Sequence, residues 1–172
     1  MKNGEFSFDW KLIGNIKEGR PNLGELTYVA VYRLMHYSIR DVLDDKFGSE
    51  KAEEILKESG KLVGYELCRN ELDIKKPFNE FISELRTLLI DMKIGVLRIE
   101  MTDLKKMSFV ITIAEDLECS GLPLMGRSVC EYDEGLIAGI FNYYYKKEFD
   151  VEETDCWTTG AKICRFAINQ KE

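Results

Sequence analysis

Apolar residues recur at helical spacing through the first half of the chain, and the period then changes. Near the N-terminus, Phe6, Phe8, Trp10 and Leu12 alternate with polar residues over 5–12, a strand-like pattern. Residues 1–20 read as an N-terminal arm and 21–172 as a single domain. Gly19-Arg20-Pro21-Asn22 is a turn signal, and Asn22 can cap a helix from about Leu23 to Lys46. Leu26, Val29, Ala30, Leu34, Met35, Ile39, Val42 and Leu43 give that helix a broad apolar face, and His36 is read as a partly exposed, hydrogen-bonded side chain on it. Ser49 caps a second helix reaching about Asn70, with Ala52, Ile55, Leu56, Leu62, Val63 and Leu67 as its apolar set. Gly60 and Gly64 interrupt it, each at a cost of about 1 kcal/mol against alanine, which points to close packing against a neighbour. Pro77 suits the first turn of a third helix, in which Phe78, Phe81, Ile82, Leu85, Leu88, Leu89 and Met92 keep the 3.6 period.

Beyond Gly95 the period drops to two. Leu97, Ile99 and Met101, and after a turn at Asp103-Leu104-Lys105 also Met107, Phe109, Ile111 and Ile113, read as an antiparallel hairpin with one covered face. Residues 117–129 have no period and form a long loop containing Cys119, read as a spare thiol. A fourth helix over about 132–147 carries Gly135 and Gly139 on one face, where another element can come close. Two strands, 149–155 and 162–168, end the chain around a turn at Thr159-Gly160. The order predicts an α+β fold: a four-stranded antiparallel sheet with helices packed on it.

Composition narrows the function. The chain has 172 residues and a net charge of −7, which argues against a nucleic-acid footprint built on a basic face. No run of 18 apolar residues is present, so no membrane span is expected. The first ten residues lack a signal-peptide core, so a cytoplasmic protein with reduced cysteines is expected.

Three of the five cysteines, Cys130, Cys156 and Cys164, fall in the last third, and Glu153 stands three residues before Cys156. Three thiolates and a carboxylate suit zinc in a closed tetrahedral site. In a regular strand Glu153 and Cys156 would face opposite ways, so for both to bind, the strand must bulge or end between them. Spacing alone leaves buried free thiols as the alternative, since free cysteine is among the most buried residue types. Cys68 is read as a thiol of that inert kind.

The segment CEYDEGLIAGIF…ETDCWTTGAKICRFAI resembles the C-terminal motif of the vinyl-4-reductase domain family. RPNLGELTYVAVYRLM and ESGKLVGYEL extend the resemblance over about 20–168. That family is similar to the sensor domains of phenol- and xylene-responsive transcriptional activators, and more remotely to the TRAPP vesicle-tethering subunits. The resemblance implies the α+β fold, stabilised by a C-terminal zinc site, with Cys130, Glu153, Cys156 and Cys164 as the metal ligands. It also implies a small apolar or aromatic ligand. The phenol sensors hold the ligand hydroxyl with a histidine and a tryptophan; counting back from Cys130, Phe81 and Phe109 stand there, which favours a more apolar ligand.

No phosphate loop, dinucleotide fingerprint or nucleophile–base pair is found, so no catalytic residue is assigned. The expected function is a zinc-containing sensor or regulatory domain, homodimeric, that signals to a separate partner. The alternatives are an accessory factor or reductase acting on a tetrapyrrole vinyl group, and a purely structural interaction module.

Overall fold

A computed structural model describes residues 6–171. Its elements run α1 (Ile16–Gly19), α2 (Val29–Phe47), α3 (Ser49–Glu71), α4 (Phe78–Asp91), β1 (Val96–Asp103), β2 (Ser108–Ala114), α5 (Glu131–Tyr145), β3 (Phe149–Asp155) and β4 (Cys164–Gln170). Short 3₁₀ turns lie at Trp10–Ile13 and Trp157–Thr159. The strands form one antiparallel sheet in the order β1-β2-β4-β3. The expected α+β fold is therefore present, with each hairpin where the period-two pattern placed it.

Two expectations about the N-terminal part are corrected. The described residues of 5–12 form no strand: Asp9 caps the 3₁₀ turn by accepting from the Lys11 N–H. Glu5 lies outside the described residues. Helix α2 begins at Val29 rather than near Leu23, after an extended Tyr28.

A further correction concerns which way α2 faces. Its apolar side chains point outward, with Leu34 73% and Met35 59% exposed and Val31, Ile39 and Val42 also in solvent. Its inner face carries Tyr32, Arg33, His36, Tyr37, Arg40 and Asp44, all partly or fully buried. His36, expected to be partly exposed, is buried because it lies on that inner face. Polar anchors hold the helix down. The Arg33 guanidinium donates to the carbonyls of Leu117 and Ser120, the Tyr37 hydroxyl to that of Glu118, and Arg40 pairs with Glu131.

Helices α3 and α5 cross with backbone against backbone. A Cβ on Gly60 would lie 2.0 Å from the Tyr132 carbonyl oxygen, and one on Gly64 2.0 Å from that of Leu136. Reciprocally, a Cβ on Gly135 would lie 2.0 Å from the Lys57 carbonyl oxygen, and one on Gly139 2.3 Å from that of Lys61. The four glycines are there for close approach, as their spacing suggested. This contact buries α5 almost all round and fixes its N-terminus over the end of the sheet. The core between helices and sheet is aromatic: Phe81, Phe109, Phe141, Phe149 and Phe166 are all fully buried.

Candidate metal centre

Four cysteines from four places in the chain meet at one end of the sheet. Cys119 comes from the loop after β2, Cys130 is the N-cap of α5, Cys156 follows β3, and Cys164 opens β4. All four are at most 1% exposed, and their sulfurs lie within 4.8 Å of one another. The register explains the arrangement. Ile113 pairs with Cys164, so the end of β2 delivers the loop with Cys119 beside the start of β4. At Cys156 the chain turns into a 3₁₀ turn, in which the Thr159 hydroxyl accepts from the Cys156 N–H. Gly160 closes that turn at φ +106.

The sulfur spacing fits a tetrahedral ion. A zinc–sulfur distance of about 2.3 Å gives a tetrahedral edge of roughly 3.8 Å. Cys130 Sγ lies 3.7 Å from Cys156 Sγ and 3.9 Å from Cys164 Sγ. The Cys119–Cys164 pair is closer, at 3.1 Å, shorter than that edge. The protonation pattern has the same origin. Sulfur contacts from Cys119, Cys130 and Cys164 hold the Cys156 thiol well below its ordinary range. Cys130 and Cys164 are raised, the proximity of Cys119 being the largest cause in each. A bound cation would displace the protons of these thiols.

Glu153 stands at the rim of this cluster. The pairing of β3 with β4 shifts between Glu153 and Asp155, and both Glu153 and Cys156 are buried. This is the bulge that joint use of the two residues requires. Both Glu153 carboxylate oxygens are buried without a hydrogen-bond partner, and burial and then the Cys156 charge raise its pKa to about 8. The structure thus brings together three of the expected ligands, Cys130, Cys156 and Cys164, with Cys119 as the fourth member of the group; Glu153 lies outside that group. The thiol read as spare in sequence sits in the cluster. Only its place directly after the acidic run Glu115–Glu118 could have drawn attention to it. Cys68 lies apart in α3, its thiol pushed up to about 12 by burial.

Phe81 and Phe109 are both buried in the aromatic core. Phe81 stacks on Tyr144 at 3.9 Å between ring centroids, and Phe109 packs on Phe78 and Phe141. A cavity of about 520 Å³ lies instead between Arg33 of α2, Lys93 after α4, Ala114 at the end of β2, Asp116, Ser120 and Trp157. It adjoins the thiol cluster in sequence on two sides: Ser120 follows Cys119, and Trp157 follows Cys156. The Trp157 indole donates to the Leu122 carbonyl at 3.0 Å, which ties the two walls together.

Comparison with known proteins matches this architecture. The vinyl-4-reductase domain model matches residues 109–170, the segment that holds all four clustered cysteines and Glu153. An uncharacterized protein of Methanocaldococcus jannaschii is 34% identical over 98 residues, which are 57% of this chain and 58% of that protein. The chain therefore aligns with less than two thirds of that relative's length. Among solved structures, a vinyl-4-reductase family protein from the same organism superposes with a TM-score of 0.64 at 18% identity, covering 97% of this chain and 99% of that one. The phenol-responsive sensory domain of the transcription activator PoxR, bound to phenol, gives 0.63 at 16% identity, covering 86% and 76%. A trafficking protein particle complex subunit 3 from Naegleria fowleri, covalently bound to palmitic acid, gives 0.66 at 14% identity, covering 84% and 95%. The resemblance read from the sequence is borne out: the chain carries a vinyl-4-reductase domain match over 109–170 and shares its fold with a vinyl-4-reductase family protein, a phenol sensory domain and a trafficking-complex subunit.

Proposed function

We propose that this chain is a small-molecule-binding sensor domain in which a zinc ion pins the walls of the ligand cavity. One observation carries the reading: the loop with Cys119 and the turn after Cys156 are both ligand-cluster segments and cavity walls. An ion on the cysteines would have four protein donors and no open position, which suits a structural role. Cys130, Cys156 and Cys164 hold it in this reading, with Cys119 or Glu153 as the fourth donor.

The cavity lining is mixed rather than apolar: Trp157, Ala114 and Leu117 face Arg33, Lys93 and Asp116. That favours an aromatic ring with a polar or acidic substituent. A ligand touching Phe81 and Phe109 would have to open the aromatic core, so Trp157 is the proposed aromatic contact. The exposed apolar face of α2 supports a homodimer, in which a second copy covers Leu34, Met35, Ile39 and Val42. No helix among the described residues is long and apolar enough to cross a membrane.

Native mass spectrometry on protein purified without chelators or a His tag tests the reading. One zinc per chain, a dimer and a retained organic mass are expected. A second readout uses the two tryptophans: in Trp10→Phe protein, Trp157 alone reports, and phenols or aromatic acids should change its fluorescence saturably. No retained organic mass together with no saturable change across that panel would overturn the sensor reading.

A further inference from the structure

The cavity beside the thiol cluster carries more positive than negative side chains. Arg33, Lys93 and Lys162 line it against Glu115 and Asp116. Asp116 is 1% exposed, and its Oδ1 already accepts from the main-chain N–H groups of Glu118 and Cys119. Arg33 is held by carbonyls alone. Its Nε donates to Leu117 at 2.9 Å, and its Nη2 to Ser120 at 2.8 Å and Asp116 at 3.5 Å. Its Nη1 takes no part in those bonds. Lys57, Lys61, Lys76 and Lys171 are paired with carboxylates elsewhere in the fold. Among the described residues no carboxylate pairs with Arg33, Lys93 or Lys162.

Lys93 stands on this wall against the preference of its backbone. Helix α4 ends at Asp91, and the chain leaves it through a Schellman turn. The Ile94 N–H bonds the Leu89 carbonyl at 2.9 Å, and the Lys93 N–H that of Ile90 at 3.1 Å. Lys93 takes the left-handed position of that turn, at φ +60, where glycine is the usual residue. The Ile94 carbonyl accepts from the Leu117 N–H at 2.8 Å, which fixes the turn to the loop that Arg33 holds. Glu115, on the same cavity, is also left-handed, at φ +54. Backbone strain kept by residues other than glycine gathers at ligand sites.

We propose that this cavity selects a small aromatic carboxylate, with Lys93 and Lys162 as the residues that read its charge and Trp157 as the wall for its ring. This rests on the sensor reading and narrows its ligand class from polar or acidic to acidic. Ammonium and guanidinium groups make charge-assisted hydrogen bonds to a carboxylate, about twice as strong as those between neutral groups. A phenol or an alcohol gains none of that difference. Arg33 is fixed before any ligand arrives, so its Nη1 is offered at little cost in ordering. Val29, Ala114 and Leu117 complete the apolar surface beside Trp157. Glu115 opposes the ligand's charge and limits its affinity.

Benzoate, its uncharged counterpart benzyl alcohol, and phenol are the probes, read by Trp157 fluorescence in the Trp10→Phe protein. Benzoate should bind at least about tenfold tighter than either neutral probe, the least that one hydrogen bond to a charged group contributes. That preference should shrink as salt rises. Lys93→Gly should lose the preference while its Tm holds or rises, because glycine suits the left-handed position. Lys162→Gln should weaken benzoate and leave benzyl alcohol unchanged. Glu115→Gln should tighten benzoate, a gain that no folding defect can imitate. Equal affinity for benzoate and benzyl alcohol overturns the charge selection and leaves the sensor reading standing. So does binding of phenol without benzoate, or benzoate affinity unchanged in both lysine variants. No saturable change with any of the three overturns it too, and with no retained organic mass the sensor reading falls as well.

Discussion

The helix crossing that positions the cluster can be challenged with a single methyl group. In Gly135→Ala the new Cβ would lie 2.0 Å from the Lys57 carbonyl oxygen, 2.8 Å from its carbon and 2.9 Å from the Lys61 nitrogen. Ordinary contact begins near 3.4 Å, so α3 and α5 must part by roughly 1.4 Å. All three obstacles are backbone atoms, with no rotamer that could relieve the overlap. Overpacking costs about 1–3 kcal/mol where side chains can adjust, and the upper end applies here. Alanine recovers about 1 kcal/mol of helix propensity. The net loss is about 2 kcal/mol, or about 4–8 °C in Tm for a domain of this size. Because Cys130 caps α5 one turn away, zinc affinity should fall along with Tm. Gly19→Ala is the control: nothing lies within 4 Å of its Cβ, and it should be neutral or slightly stabilising. Thermal melts followed by circular dichroism, with zinc counted in the same preparations, make the comparison. A Gly135→Ala protein that melts at or above the wild-type temperature would refute the backbone-contact argument.

Further outcomes are expected at the metal centre and on α2. Cys164→Ser should lose both its zinc and part of its Tm, and a mutant that keeps both, by metal counting and calorimetry, sinks the metal assignment. Cobalt substitution separates the two candidate fourth donors, because sulfur-to-cobalt absorption should weaken in Cys119→Ser and not in Glu153→Gln if the fourth donor is sulfur. Zinc affinity should rise with pH, since the thiols of Cys119, Cys130 and Cys164 are all held above their ordinary range and each must release a proton to bind; a chelator competition at pH 6 and 8 that shows no difference contradicts this. Leu34→Glu should leave a folded monomer in light scattering, and an unchanged mass would remove α2 as the dimer face.

Much of the fold was legible because its elements obey simple periods. The α4 stripe from Phe78 to Met92 and the alternation through 97–113 placed a helix and a hairpin to within a residue or two. Glycines spaced four apart in two helices announced a close crossing, although not that the helices would cross each other. The N-terminal alternation misled, because period-two spacing over so few residues carries no information about a partner strand. Among the clustered cysteines, Cys130, Cys156 and Cys164 stood out with Glu153 in a local motif. Cys119 did not, because its place depends on the β2–β4 register, a tertiary fact with no local trace.

Helix α2 shows what periodicity omits. Its apolar stripe was read correctly as a stripe, but a helical period does not say which face is inside. The usual rule, apolar inward, fails here because the surface beneath α2 is itself polar: main-chain carbonyls of the 116–120 loop, buried carboxylates and Glu131. Arg33, Tyr37 and Arg40 satisfy those groups, and burying leucines there would leave them without partners at a cost of about 1–3 kcal/mol each. The orientation of α2 therefore follows from the loop it covers, and that loop is delivered by the β2–β4 register. The apolar face left outside is the part a second copy would cover, while the inner face holds His36 against the carboxylates.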